Sequence, residues 1–221
     1  MKYIILFTTF IYTLNSSAAT MYSYYLSEVL SEDFGGQYVP LLKDISSKSN
    51  LDLKIYPFRR SIRDFQKSKD SCIFPMDIIA FESKKNDYIH SDSFTHSPVF
   101  FYKLKATDLN DNKKDHKVAI NESLLRYVKS SIPKEYHINP VNNDEQLIEM
   151  LSRKRVDLIV GIDPDFMTTY NKSKYFKKKS YQVEKYGNKI IEIRDMIICK
   201  KSQKNQITID EFNNFITDGY L

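Results

Sequence analysis

Between Leu51 and Pro75 the apolar positions first alternate and then recur. Leu51, Leu53 and Ile55 stand at every second position with polar Asp52 and Lys54 between them, the period of a β-strand. Phe58, Ile62 and Phe65 follow at the spacing of one helical face, with arginines on the other side, and Cys72-Ile73-Phe74 is a short apolar run suited to a buried strand. Together they predict a β-α-β unit. A second copy lies downstream, where Tyr136 to Val141 precedes a helical Gln146 to Leu151 and the apolar run Val156 to Ile162. The stretch from Ile62 to Pro75 aligns without a gap on Ile148 to Gly161, and each copy follows a matching helix, Leu41 to Ile45 or Leu124 to Val128. The pattern predicts two similar α/β lobes.

The remaining segments fill in the order. An aromatic first strand spans Met21 to Leu26, and Tyr38, Leu41, Leu42 and Ile45 form the inner face of the next helix. Phe81 to Asp87 reads as helical. Thr95 to Leu104 is a long extended run whose Pro98 argues against the middle of a sheet, which suggests a crossing between lobes. In the second half, Lys117 to Ile120 is a strand, Asn121-Glu122-Ser123 caps a helix, Asn143 with Gln146 opens another in the manner of a capping box, and Pro164 can begin a third. Ile190 to Ile193 and Met196 to Lys200 read as two strands, and Ile209 to Ile216 as a final helix with apolar Ile209, Phe212 and Ile216.

The N-terminus changes this picture. Met1-Lys2, the apolar Tyr3 to Leu14 and the small residues ending at Ala19 have the layout of a secretory signal peptide, with cleavage expected after Ala19. The apolar run is short for a membrane span, so the protein is expected in the periplasm. Export leaves two possibilities for Cys72 and Cys199, which sit in apolar runs: oxidation to a disulfide, or two buried thiols acting as small hydrophobes. The 221 residues carry a formal charge of +5, densest at Lys172 to Lys179 and Lys200 to Lys204. Such runs mark solvated faces, and without a reading module they do not imply nucleic-acid binding. The four histidines are scattered and no Cys/His cluster has ligand spacing, so neither metal nor cofactor is expected.

Candidate chemistry follows from topology. Right-handed crossovers leave strand C-termini and helix N-termini on one edge, where ligands settle in open α/β sheets. That edge holds Tyr24 and Tyr25, then Phe58, Arg59 and Arg60, then Pro75 to Asp77, and in the second lobe Asn121, Ser123 and Asp163. Aromatic and arginine side chains beside helix N-termini suit a small polar or anionic molecule, with Arg60 as the anchor. The alternative is that the tyrosines pack in the core and the arginines solvate a helix. An enzyme would use Asp163, Asp165 and Asp77 as a carboxylate pair or Ser123 as nucleophile, but there is no G-x-S-x-G, paired histidine or phosphate loop.

The ordered segments YPFRRSIRDF with KDSCIFP, YIHSDSF, KVAINES and EMLSRKRVDLIVGID resemble the type 2 periplasmic solute-binding proteins, the group that includes the family 3 extracellular solute-binding proteins. The resemblance implies an α/β, two-lobed type 2 periplasmic-binding-protein-like fold joined by crossing hinge strands. It divides the chain into a leader (1–19), a first lobe (20–98, completed by 200–221) and a second lobe (99–199). It further implies a monomer that closes on a small-molecule ligand for delivery to an ABC permease or a membrane sensor. A stand-alone sensor, a degenerate member and a small cleft enzyme are the alternatives. Amino-acid binders of this family grip the ligand carboxylate with an arginine. Lys84 stands at that position here, and a lysine does not reproduce the bidentate fork. The aspartate that holds a ligand amine falls near Asp163. The expected ligand set is therefore Tyr25, Phe58, Arg60, Asp77, Lys84, Ser123 and Asp163.

Overall fold

The computed structural model describes residues 19–26, 30, 35–36, 38–109, 115–175, 177 and 181–217. Its elements are β1 (Ala19–Tyr24), α1 (Val39–Lys48), β2 (Leu51–Tyr56), α2 (Phe58–Lys67), β3 (Ser71–Met76), β4 (Tyr88–His90) and β5 (Thr95–Leu104), then β6 (Lys117–Asn121), α3 (Glu122–Val128), β7 (His137–Val141), α4 (Asp144–Ser152), β8 (Leu158–Ile162), α5 (Asp165–Lys172), β9 (Val183–Lys200) and α6 (Gln203–Thr217). Residues 1–18 of the expected leader lie outside the described residues. β1 begins at Ala19, fully buried and in register with Leu51.

Each of the two sequence repeats forms three parallel strands. β2-β1-β3 and β8-β6-β7 stand at opposite ends of one nine-stranded sheet, in the order β2-β1-β3-β9-β5-β8-β6-β7, with β4 on β9. All six residues of β3 are buried, because it lies between β1 and β9 and is covered on both faces. β7 is an outer strand, and its exposed Pro140 needs no ladder donor there.

The segment expected as two strands at the end of the sheet is one. β9 runs 18 residues. Its first part pairs antiparallel with β5 and its last part with β3 and β4. A register jump separates Val99↔Ile191 from Phe101↔Tyr186, and Gly187, at φ 72°, supplies the left-handed turn within it. The lobe boundary expected after Cys199 thus falls inside a strand whose tail lies on the first half of the sheet. β5 is also not an edge strand: it pairs with both β9 and β8. Pro98 is tolerated because the β8 ladder starts one residue later, at Val99, and the Pro98 carbonyl still accepts from the Asp163 N–H at 2.9 Å.

Three apolar clusters hold the fold. One lies under α1 and α6, where Leu42, Ile45, Phe74 and Phe212 meet; a second lies under α4 and α5, around Leu147, Leu151, Ile159 and Phe166. The third crosses the seam, joining Ile62, Phe65 and Met76 to Leu124, Tyr127 and Val128. The Tyr127 hydroxyl points at the Met76 sulfur from 2.6 Å across this seam. Cys72 and Cys199 form a disulfide between β3 and β9, which settles the choice between oxidised and free thiols. It closes a sequence separation of 127 residues, a constraint worth about 2–5 kcal/mol in a small secreted domain.

Candidate functional site

The loops after the parallel strands of both halves converge on a cavity of about 500 Å³. From the first half come Tyr24 at the end of β1, Tyr25 and Leu26 beyond it, Tyr38 ahead of α1, and Pro75 in β3. The second half contributes Asn121 and Ser123 at the β6–α3 turn, Asn142 to Glu145 at the start of α4, and Gly161, Ile162, Pro164, Asp165, Thr168 and Thr169 around the start of α5. Ser97, Ile193 and Asp195 come from the crossing strands.

The first wall is aromatic and fixed from behind. Tyr24 donates its hydroxyl to the Pro75 carbonyl at 2.7 Å and meets the Phe58 ring edge-on, centroids 4.8 Å apart. Tyr38 donates to Asp195 Oδ2 at 2.8 Å, as does Thr95 at 2.8 Å. The second wall is a polar chain. Ser123 Oγ donates to Asn121 Oδ1 at 3.0 Å, and Asn121 Nδ2 donates to Asp144 Oδ1 at 3.2 Å. Asn121 and Asn143 also cap their helices through the Ser123 and Gln146 N–H groups. Gly161 sets how close α5 comes. A Cβ there would lie 2.7 Å from Phe166 Cβ and Cγ, so only glycine lets Phe166 seat on β8 and brings Asp165 to the cavity.

Three of the lining carboxyls are held above the ordinary carboxylate range. Partial desolvation within the cavity is the main cause for Asp144, Asp165 and Asp195 alike, with Asp144 and Asp195 half-buried and Asp165 still exposed at its outer side. Neighbouring carboxylates add to it: Asp195, Asp144 and Asp163 act on Asp165, Glu145 acts on Asp144, and Asp77 acts on Asp195. Hydrogen bonds from Thr95 and Tyr38 offset part of the shift at Asp195. Among the described lining residues there is no lysine, arginine or histidine.

Of the residues expected to hold a ligand, Tyr25 and Ser123 line the cavity. The other five stand elsewhere, each for a visible reason. Phe58 packs behind Tyr24 and faces a separate groove. Arg60 lies over the Tyr56 ring at 3.7 Å and pairs with Asp64 at 3.5 Å, because its position on α2 turns it to solvent. Asp77, 1% exposed, accepts from the N–H groups of Ile79 and Arg194 and ties the end of β3 to β9. Lys84 is exposed in the irregular 3-10 segment Ile78–Asp87, which contains the stretch Phe81 to Asp87 expected as helical. Asp163 accepts from Tyr102 and pairs with Lys185 at 2.8 Å. An anionic ligand therefore loses its expected anchors. Sequence reasoning passed over Asp144 and Glu145, although the rule that chose Ser123, a helix start after a parallel strand, marks them equally. Asp195 lies inside a strand and carries no such signal.

No family model and no curated protein matches the chain. Solved structures do. The GluR0 ligand-binding core from Nostoc punctiforme, in complex with L-glutamate, superposes with a TM-score of 0.71 at 15% identity, over 91% of this chain and 94% of that one. An arginine 3rd transport system periplasmic binding protein from Legionella pneumophila gives 0.68 at 15%, over 92% and 93%. The Gly52Ala mutant of arginine-bound ArgBP from T. maritima gives 0.64 at 13%, over 90% and 95%. The chain therefore has the two-lobed fold of the type 2 periplasmic binding proteins.

Proposed function

We propose that this chain, with its two-lobed type 2 periplasmic-binding-protein fold, binds a small solute in the cavity between its lobes and passes it on unchanged. The observation that carries the reading is the origin of the lining, which comes from the C-terminal strand edges of both halves, where open α/β sheets take ligands. The volume suits a small organic molecule, and hydroxyls, amides and carboxylates converge on it between apolar walls. Ser123 bonds to an amide rather than to a base, so its hydroxyl has no activating partner of the kind a nucleophile needs.

The lobes divide along the crossing strands, with the tail of β9 joining 20–98 and α6, and the remainder of 99–199 forming the second lobe. β9 pairs with strands of both halves and is the natural axis of closure. The leader-like N-terminus supports a periplasmic location, and the role proposed there is that of a monomer that delivers its solute to an ABC permease or a membrane sensor. Among the described residues no helix is long and apolar enough to cross a membrane. Titration calorimetry against a solute library, followed by small-angle scattering with the hit, tests the reading. Saturable binding with a contracted scattering envelope is expected. Failure of every solute class, or binding with an unchanged envelope, overturns it.

A further inference from the structure

Resting on that reading, we infer that the solute is an organic cation, an amine or guanidine without a carboxylate. The cavity carries Asp144, Glu145, Asp165 and Asp195 and no basic side chain among the described lining residues, in a chain whose formal charge is +5. The nearby cations are engaged elsewhere, Lys185 by Asp163 and Arg194 by Asp77. A ligand carboxylate would enter this space without a positive partner and against like charges, whereas an ammonium or guanidinium meets acceptors.

Helix chemistry alone does not explain the lining. Acidic residues favour the first turn of a helix, which accounts singly for Asp144, Glu145 and Asp165. It does not account for Asp195, which lies in β9. Nor does it explain why the carboxyls of Asp144 and Asp165 are raised rather than lowered: desolvation and neighbouring carboxylates outweigh the helix field, the hydrogen bond from Asn121 offsets only part of the shift at Asp144, and no described cation pairs with either. Asp165 has no hydrogen-bond or ion-pair partner among the described residues, and both bonds to Asp195 fall on Oδ2.

The rest of the lining says that the cation is organic. Among the described residues no three carboxylate, histidine or cysteine groups are placed to hold a metal ion, so the acidic groups are distributed around the space. Leu26, Val160, Ile162 and Ile193 offer surface for methylenes, and Tyr24, Tyr25 and Tyr38 offer rings and hydroxyls. Tyrosine faces attract cations without the geometric demands of a metal site.

Paired probes that differ by one carboxylate test the inference on the full chain by titration calorimetry at neutral pH: agmatine against L-arginine, and putrescine against L-ornithine, with L-glutamate and calcium chloride alongside. At least one decarboxylated probe is expected to bind tenfold or more tighter than its amino-acid partner. Asp165→Asn should weaken that probe about ten- to hundredfold, the scale of one charge-assisted hydrogen bond. Glu145→Gln provides a second neutralisation should the first fail to fold. Amino acids binding as tightly as their decarboxylated partners, calcium binding in their place, or no organic cation binding overturns the inference. A library in which a neutral or anionic solute binds with closure leaves the solute-binding reading intact and removes only this one, and a library with no binder removes both.

Discussion

Two openings lie between the same two lobes, and they are opposite in charge. The cavity at the strand edges is lined by carboxylates held above their ordinary range, with no described cation among them. The groove on the far side of the α2–α3 seam is lined by Arg59, Arg63, Arg126 and Lys129, with Glu122 as the acidic member. The groove's three arginines are paired or stacked: Arg59 with Glu122 across the lobes, Arg63 with Asp64, and Arg126 over Phe58 and Phe81. The difference teaches that charge type does not identify a ligand site here; the absence of compensation does. Solvated, paired arginines cost little to keep, whereas partly desolvated like charges gathered around one cavity lower stability and persist when something else uses them.

The largest effect should come from moving the cavity wall. Gly161→Ala places a methyl against the inner atoms of Phe166, and such overpacking typically costs about 1–3 kcal/mol. Urea unfolding should show that loss, and ligand affinity should fall with it as α5 shifts Asp165. Wild-type stability and affinity together would mean that the wall is softer than the comparison requires.

Acid should act on the two openings in opposite directions. Asp144, Asp165 and Asp195 are raised on folding, so above about pH 4 the folded chain holds protons that the unfolded chain releases. Their contribution to stability therefore falls as pH rises through that gap and is not regained above it. Glu122, lowered by Arg59, and Asp64, lowered chiefly by Arg63, contribute stability above the ordinary carboxylate range that is lost as pH falls through their folded values. Thermal melts of the free protein should show Tm rising as pH falls from neutral toward the ordinary carboxylate range, with a shallower rise and a higher neutral-pH Tm in Asp165→Asn. Identical pH profiles for the two proteins would break the comparison.

Arg59→Ala removes the exposed pair between the lobes, and such solvent-screened pairs contribute little. If closure uses that pair, apparent ligand affinity should drop less than about fivefold. Glu122→Gln should give the same loss, and the double variant should lose no more than either, as a calorimetric double-mutant cycle would reveal. Arg60→Ala should have the smallest effect, leaving affinity within about twofold, because the guanidinium lies over Tyr56 outside the cavity. A tenfold loss at Arg60 would restore the anchor that the sequence pattern suggested and undo the contrast between the two openings.

Local order was legible in the residues. Alternation at Leu51 to Ile55, the helical spacing of Phe58, Ile62 and Phe65, and the gapless repeat from Ile148 to Gly161 determined both β-α-β units and the edge at which a site forms, because these signals lie within a few turns of chain. Tyr25 and Ser123, picked out by that rule, line the cavity. What only the tertiary structure decided is non-local. β9 is one strand spanning both halves because β3, β4 and β5 are there to pair with it, and that pairing joins Cys199 to Cys72 across 127 residues and carries Asp195 into the cavity. Arg60 and Asp165 show the same division at single residues. Each follows a strand end at the start of a helix, yet packing turns one to solvent over Tyr56 and leaves the other lining the cavity within the field of other carboxylates. Periodicity specifies which face of an element is buried, but which elements meet across the chain sets where a charge ends up and whether anything compensates it.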